Sequence, residues 1–263
     1  SNVEFQISFR AKWLGGSNQL NTHLYYNRIP QTTLVTVPAQ SGTPAAQNTA
    51  LESNIGPTYD ELLHWPAVPD ISESVTVSVQ AEDPQGIAGM ELYFSIDEGL
   101  FQTSGMSDVG NGQFQGTIPG QSSSTVVQFY VQGTDSLGAV STFPAAGADS
   151  RALFKVQDGK AKSGGIHNFR IVMAESDEND LFIGTNSFLD ERAMTNRRLG
   201  ATVIYNENEV FYDARIRLKG SNVGRTETIS GIHFLGFNIA FDPMQKFRGV
   251  HRSVAIDRSG RGK

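Results

Sequence analysis

The sequence predicts a mainly β protein built on an antiparallel sandwich, with further β-rich segments on either side of it. Three observations carry that expectation. Apolar residues recur at every second position in run after run, as strands with one wet face require. Turns bearing Gly, Asp or Asn interrupt those runs at intervals of roughly eight to twelve residues, the spacing of short antiparallel strands. No stretch shows the long 3.6-residue period of an amphipathic helix. With 263 residues, of which 38 % are apolar and 18 % charged, the chain has enough material for a sizeable core. That composition excludes disorder, collagen and coiled coil as descriptions of the whole.

Taken in order, Val3, Phe5, Ile7, Phe9, Ala11 and Trp13 alternate with polar residues, and Gly15-Gly-Ser-Asn18 leads to a second run through Leu24, Tyr25 and Tyr26. Residues 3–28 therefore read as a hairpin, and Thr32 to Val37 as a third short strand. Two or three strands cannot form a stable unit alone, so residues 1–37 are expected to close a β module begun upstream or to pack on the next one. Residues 38–57 are rich in Pro, Ala, Gly and Gln without periodicity and read as a linker. From 58 to 157 the alternation returns: Val75, Val77, Val79 and Ala81; Met90, Leu92, Phe94 and Ile96; Phe114 to Ile118; Val126 to Gly133; Leu153 to Val156. Asp83-Pro-Gln-Gly86, Asp108 to Gly112 and Asp135-Ser-Leu-Gly138 supply the turns. Six or seven short strands in about 100 residues is the immunoglobulin-like or fibronectin-like sandwich pattern. Residues 158–165 are polar and Gly-bearing and mark a boundary. In 166–263, Phe169 to Met173 reads as a strand, and residues 175–198 as a short helix or irregular loops. Thr202 to Tyr205 and Val210 to Lys219 read as a hairpin across Asn206–Glu209, and Phe237 to Phe241 as a last strand.

Charge divides at the same place. Residues 1–159 hold 5 basic and 15 acidic side chains, residues 160–263 hold 16 and 12. Either two segments simply have different surfaces, or the basic one faces an anion such as phosphate or acidic polysaccharide. There is no Cys, which removes disulfides, thiolate metal sites and cysteine nucleophiles together. No run is long and apolar enough to span a membrane as a helix, and the polar, Lys-poor texture tilts toward a secreted, cell-surface (extracellular) protein. The chain starts within a strand-like pattern and stops at Arg258-Ser-Gly-Arg-Gly-Lys263, so it reads as an excerpt of a longer, multidomain polypeptide.

Two stretches resemble known modules. The run from Gly56-Pro57 through Val75-Thr-Val-Ser-Val79, Gly116-Thr-Ile-Pro119 and Val127-Gln-Phe-Tyr-Val131 to Thr134-Asp-Ser-Leu-Gly138 is similar to the immunoglobulin-like module of large exported bacterial proteins. Residues 166–263, with Phe169-Arg-Ile-Val-Met173, Leu199-Gly-Ala-Thr-Val-Ile-Tyr205, Arg215-Ile-Arg-Leu-Lys-Gly-Ser221 and Gly236-Phe-Asn-Ile-Ala-Phe-Asp242, resemble the N-terminal part of a spore-coat protein H (CotH) kinase-like α+β domain. The resemblance implies phosphoryl transfer by such a domain when complete. Here Phe234 to Ala240 lacks the lysines that kinase-like members carry on that strand. The Mg²⁺-holding carboxylates implied by the family lie further downstream, so the expectation for this chain is a non-catalytic piece. Residues 1–37 weakly resemble the end of a carbohydrate-binding jelly roll.

No catalytic constellation stands out. Gly-x-Ser-x-Gly and His-Glu-x-x-His are absent, and His23, His64, His167, His233 and His251 are not paired in sequence, so structural or surface roles are expected for them. Glu175, Asp177, Glu178 and Asp180 are an acidic cluster without the spacing of a Ca²⁺ loop. A solvated turn is the plain reading there, with Glu175, Asp177 and Asp180 the weak Ca²⁺ ligands and no other cofactor expected. Arg215, Arg217 and Lys219 share one face of a strand, with Ser221 and Arg225 just beyond, so an anion held by charge-assisted bonds is the candidate site, against a plain wet strand face. Trp13, Trp65, Tyr25 and Tyr26 are candidates for a sugar-stacking platform, Trp13 fitting the core better. The function this predicts is a structural or adhesive segment of a bacterial surface or matrix protein. Its expected partners are other domains of the same polypeptide and polysaccharide or protein neighbours, with no nucleic acid. A carbohydrate-binding accessory module and a kinase fragment are the alternatives.

Overall fold

The computed structural model describes residues 54–159, 167–182, 196–220 and 235–257, together with four short strands, β1 (Gln19–Thr22), β2 (Gln31–Leu34), β15 (Thr228–Ile229) and β16 (Ile232–His233). Residues 1–53 form a unit of their own. In it β1 pairs antiparallel with β2, Gln19 opposite Leu34. The hairpin expected over 3–28 otherwise falls outside the described residues, as do Trp13, Tyr25 and Tyr26.

Residues 54–263 form the second unit. Its first part holds nine strands: β3 (Thr58–Trp65), β4 (Val75–Glu82), β5 (Ile87–Ile96), β6 (Gln102–Gly105), β7 (Ser107–Gly110), β8 (Gln113–Ile118), β9 (Val126–Asp135), β10 (Val140–Phe143) and β11 (Leu153–Lys155). They make two antiparallel sheets, ordered β3-β4-β8-β7 and β10-β9-β5-β6, with β11 also on β9. One edge of β9 is shared in succession: Val126 to Gln128 pair with β11, Val131 to Thr134 with β10. The expected alternation places the core. Val75, Val77 and Val79 from one sheet and Leu92, Phe94, Val127, Phe129 and Val131 from the other are buried in a single apolar cluster. The turns follow their chemistry: the Asp83 carboxylate accepts the Gln85 N–H at 2.8 Å, and Gly86 takes φ +88. Strand β3 has no clean alternation because its register slips between Asp60 and Leu63, where Glu61 adopts φ 52.

The second part is a five-stranded antiparallel sheet, ordered β12-β13-β14-β17-β18. Its strands are β12 (Phe169–Val172), β13 (Leu199–Tyr205), β14 (Glu209–Lys219), β17 (Gly236–Ala240) and β18 (Ser253–Ile256). Helix α1 (Glu175–Phe182) follows β12 in sequence. On one face Leu199, Ala201, Val203, Phe211, Ala214, Ile216 and Ile239 pack with Leu181 of α1 and with Phe241. On the other, Val172, Ile204, Val210 and Tyr212 join the sandwich's own cluster, so the residues on either side of 160–166 share one core.

That joint is sealed by polar contacts. His64 of β3 is buried, with Nδ1 2.6 Å from the Tyr212 hydroxyl and Nε2 3.2 Å from the Ala67 carbonyl. A carbonyl only accepts, so Nε2 carries the proton and Nδ1 accepts from the phenol. Thr202 links the two parts again: its Oγ1 accepts from the Leu153 N–H at 2.7 Å and donates to the Arg151 carbonyl at 2.6 Å. The Arg151 side chain lies over Gly200, where a Cβ would stand 2.4 Å from Arg151 Cγ. From there Nε reaches Asp177 of α1. At the head of the helix Glu98 accepts both the backbone N–H and the hydroxyl of Ser176, an N-terminal cap supplied from the sandwich.

Burial lowers the His64 pKa from 6.5 to about 4, so the folded protein keeps the ring neutral where the unfolded chain would protonate it. Stability from this group is intact above pH 6.5 and is lost as pH falls toward 4, by about 3 kcal/mol in all. Urea midpoints measured across that range should show the decline, and His64→Gln should flatten it. Tyr212→Phe leaves Nδ1 without its donor and should cost about 1–3 kcal/mol at neutral pH. Gly200→Ala should destabilise as well, by forcing the Arg151 stem off the sheet.

Candidate anion-binding face

Strand β14 does not alternate strictly. The pairing with β13 slips between Ala201 and Val203: Val203 faces Phe211, yet Ala201 faces Ala214. The one extra residue on β14 is accommodated where Asp213 takes φ 49, a bulge. Up to that point Val210 and Tyr212 face the sandwich; beyond it Ala214, Ile216 and Leu218 join Phe211 on the opposite side. An unbroken alternation along the strand would instead have put Val210, Tyr212, Ala214, Ile216 and Leu218 in a single row. Arg215, Arg217 and Lys219 thus continue the face that carries Tyr212, and they emerge beside the joint.

Neighbouring strands complete the surface. Gly200 of β13 lies opposite Arg215, and Arg198 precedes Leu199, which pairs with Ile216. Across β17, Asn238 faces Arg217 and Gly236 faces Lys219. Arg217 Nη1 donates to Asn196 Oδ1 at 3.0 Å, and Arg198 Nη1 lies 3.4 Å from the Arg215 carbonyl. Lys219 Nζ stands 3.4 Å from an Asp257 carboxylate oxygen at the rim. Among the described residues no carboxylate forms an ion pair with Arg198, Arg215 or Arg217. Desolvation first, then the charges of Arg217 and Arg215, hold the Arg198 guanidinium below its ordinary pKa. The Asn238 side-chain oxygen is buried and accepts no hydrogen bond among the described residues. Like charges gathered without a counter-charge among the described residues make a site that an oxyanion would complete.

Of the predicted anion ligands, Arg215, Arg217 and Lys219 are brought together, whereas Ser221 and Arg225 lie outside the described residues. Arg198 is the member that sequence reasoning missed, and Asn238 is the neighbour of Arg217 across β17. Counting straight back from the Asn206–Glu209 turn places Arg198 opposite Ile216, on the wrong face; the bulge moves it beside Arg217.

Asp177 pairs with Arg151, and Asp180 with Arg197 at 2.9 Å. Glu175 and Glu178 line a cleft of about 580 Å³ with Asp97, Glu98, Lys155 and Asn179. Among the described residues no three His, Asp or Glu side chains converge as metal ligands. His167 meets the Tyr205 hydroxyl through Nδ1. Trp65 is 63 % exposed. Among the described residues no helix is long and apolar enough to cross a membrane.

No family model matches the sequence, and no curated protein matches it. Among solved structures, the chain has a partial likeness to the crystal structure of a Br derivative of BhCBM56. The two are 13 % identical, and the likeness covers 40 % of this chain and 96 % of that one at a TM-score of 0.25.

Three guanidiniums on one face repel one another in the free protein. Arg215→Gln should therefore raise stability slightly, by about 0.5 kcal/mol at low ionic strength, and the gain should vanish at molar salt. Paired thermal melts of the two proteins at both salt concentrations check this.

Proposed function

We propose that this chain is a non-catalytic, adhesive β segment of an extracellular bacterial surface protein, and that it holds an acidic polysaccharide through the face bearing Arg198, Arg215, Arg217 and Lys219. The observation that carries the reading is the arginine cluster that has no ion-pair partner among the described residues. A wet strand face chosen only for solubility mixes both signs of charge, whereas this one spaces guanidiniums along β14 and adds a third from Arg198, just before β13. The strip suits a polymer bearing sulfate or carboxylate groups at intervals, because a guanidinium grips such groups through paired N–H donors. The texture of the chain as a whole, without Cys and rich in short antiparallel strands, suits a rigid extracellular spacer that presents this face. The large polar groups of the interior, His64, Tyr212 and Thr202, hold the two parts together and leave reaction chemistry to other proteins or other segments.

Dextran sulfate and uncharged dextran of equal length, titrated against the protein by calorimetry, test this. The sulfated polymer should bind and the neutral one should not, with affinity falling steeply as NaCl rises. Arg215→Ala and Arg217→Ala should each weaken binding by roughly 5- to 10-fold. Equal affinity in the parent and both variants would sink the proposal.

A further inference from the structure

The outer face of the sheet β10-β9-β5-β6 departs from what a wet face needs. On β4 the outward residues are Thr76, Ser78, Gln80 and Glu82. On β5 and β9 the outward positions instead hold Tyr93 and Tyr130, directly opposite in register. Their rings stack with centroids 4.8 Å apart and planes 5° from parallel. Phe101, just before β6, sets its edge against Tyr130 at 5.3 Å and 65°. All three rings are partly exposed. Polar groups flank them in order: the Tyr93 hydroxyl donates to Glu91 Oε2 at 2.8 Å, and Gln132 Nε2 lies 3.4 Å from the same hydroxyl.

The chemistry of this patch selects its occupant. Residues 54–159 carry 13 acidic and 2 basic side chains. Both basic ones are already paired, Arg151 with Asp177 and Lys155 with Asp158. A polyanion is therefore repelled here. An added peptide strand needs a free sheet edge, and these rings stand on a sheet face between paired strands. A globular partner needs roughly 800 Å² of matching surface on each side, more than three rings present. What remains is a slender, uncharged chain that offers C–H surface to aromatic rings and hydroxyls to a carboxylate and an amide. We infer that Tyr93, Tyr130 and Phe101, with Glu91 and Gln132, form a binding strip for a neutral polysaccharide, separate from the cationic face and opposite to it in charge preference.

Native affinity electrophoresis through gels containing soluble uncharged polymers, namely xylan, galactomannan and mixed-linkage glucan, together with pull-down on cellulose and chitin, tests the inference. The parent protein should be retarded or captured by at least one of them. Tyr130→Ala and Phe101→Ala should abolish that retention with the thermal midpoint preserved. Should Tyr130→Ala fail to fold, Tyr93→Phe and Glu91→Gln keep the sheet intact and should each weaken retention several-fold. Arg215→Ala should leave it unchanged, which separates this strip from the acidic-polymer site. Absence of retention on every polymer would overturn the inference. So would retention that survives the aromatic and Glu91 substitutions, or that disappears in Arg215→Ala.

Discussion

A strand that must be apolar toward one neighbour over its first half and toward another over its second cannot alternate strictly. Strand β14 meets both demands with a bulge at Asp213. Before it, Tyr212 and Val210 turn toward the sandwich; after it, Ala214, Ile216 and Leu218 turn to the opposite core. The arginines inherit the face that Tyr212 vacates. Without the slip, Arg215 and Arg217 would point into the cluster around Leu199 and Ile239, where unpaired charge is not tolerated. Joint and candidate site are therefore two products of one backbone irregularity, and Asp213 itself helps fix it by accepting the Arg151 N–H.

Much of this was legible in the residues. The sandwich followed from Val75 to Ala81, Met90 to Ile96 and Val126 to Gly133, because period-two burial is a strong signal when one face is wet and the turns carry Asp and Gly. The hairpin around Asn206–Glu209 was legible for the same reason. What escaped was whatever depends on a slip in register or on long-range packing. Strand β3 hid behind its irregularity at Glu61. The short edge strands β6, β7 and β18 are largely exposed and so carry little pattern. His64 sits in a strand with polar neighbours, and nothing local shows that its partner lies 148 residues away.

The candidate site divides along the same line. Residues two apart on one strand, Arg215, Arg217 and Lys219, were visible from parity alone. Arg198 and Asn238 required knowledge of which strands adjoin β14 and in what register. The pair Tyr93 and Tyr130 was hidden for a related reason: each occupies a wet position in its own strand, and only the pairing of β5 with β9 stacks them. Acidic sandwich and basic sheet, read first as an imbalance in composition, are oppositely charged parts of one unit.

The bond between His64 and Tyr212 has an evolutionary corollary. Each partner is buried and each satisfies the other, so an apolar replacement of one leaves the other orphaned and penalised, while replacing both with apolar side chains of similar size removes that penalty and leaves only the Ala67 carbonyl without its donor. The two positions are bound to drift together or not at all. In descendants of this chain the loss of the imidazole and the loss of the phenol should be found in the same genomes, as linked events rather than independent ones.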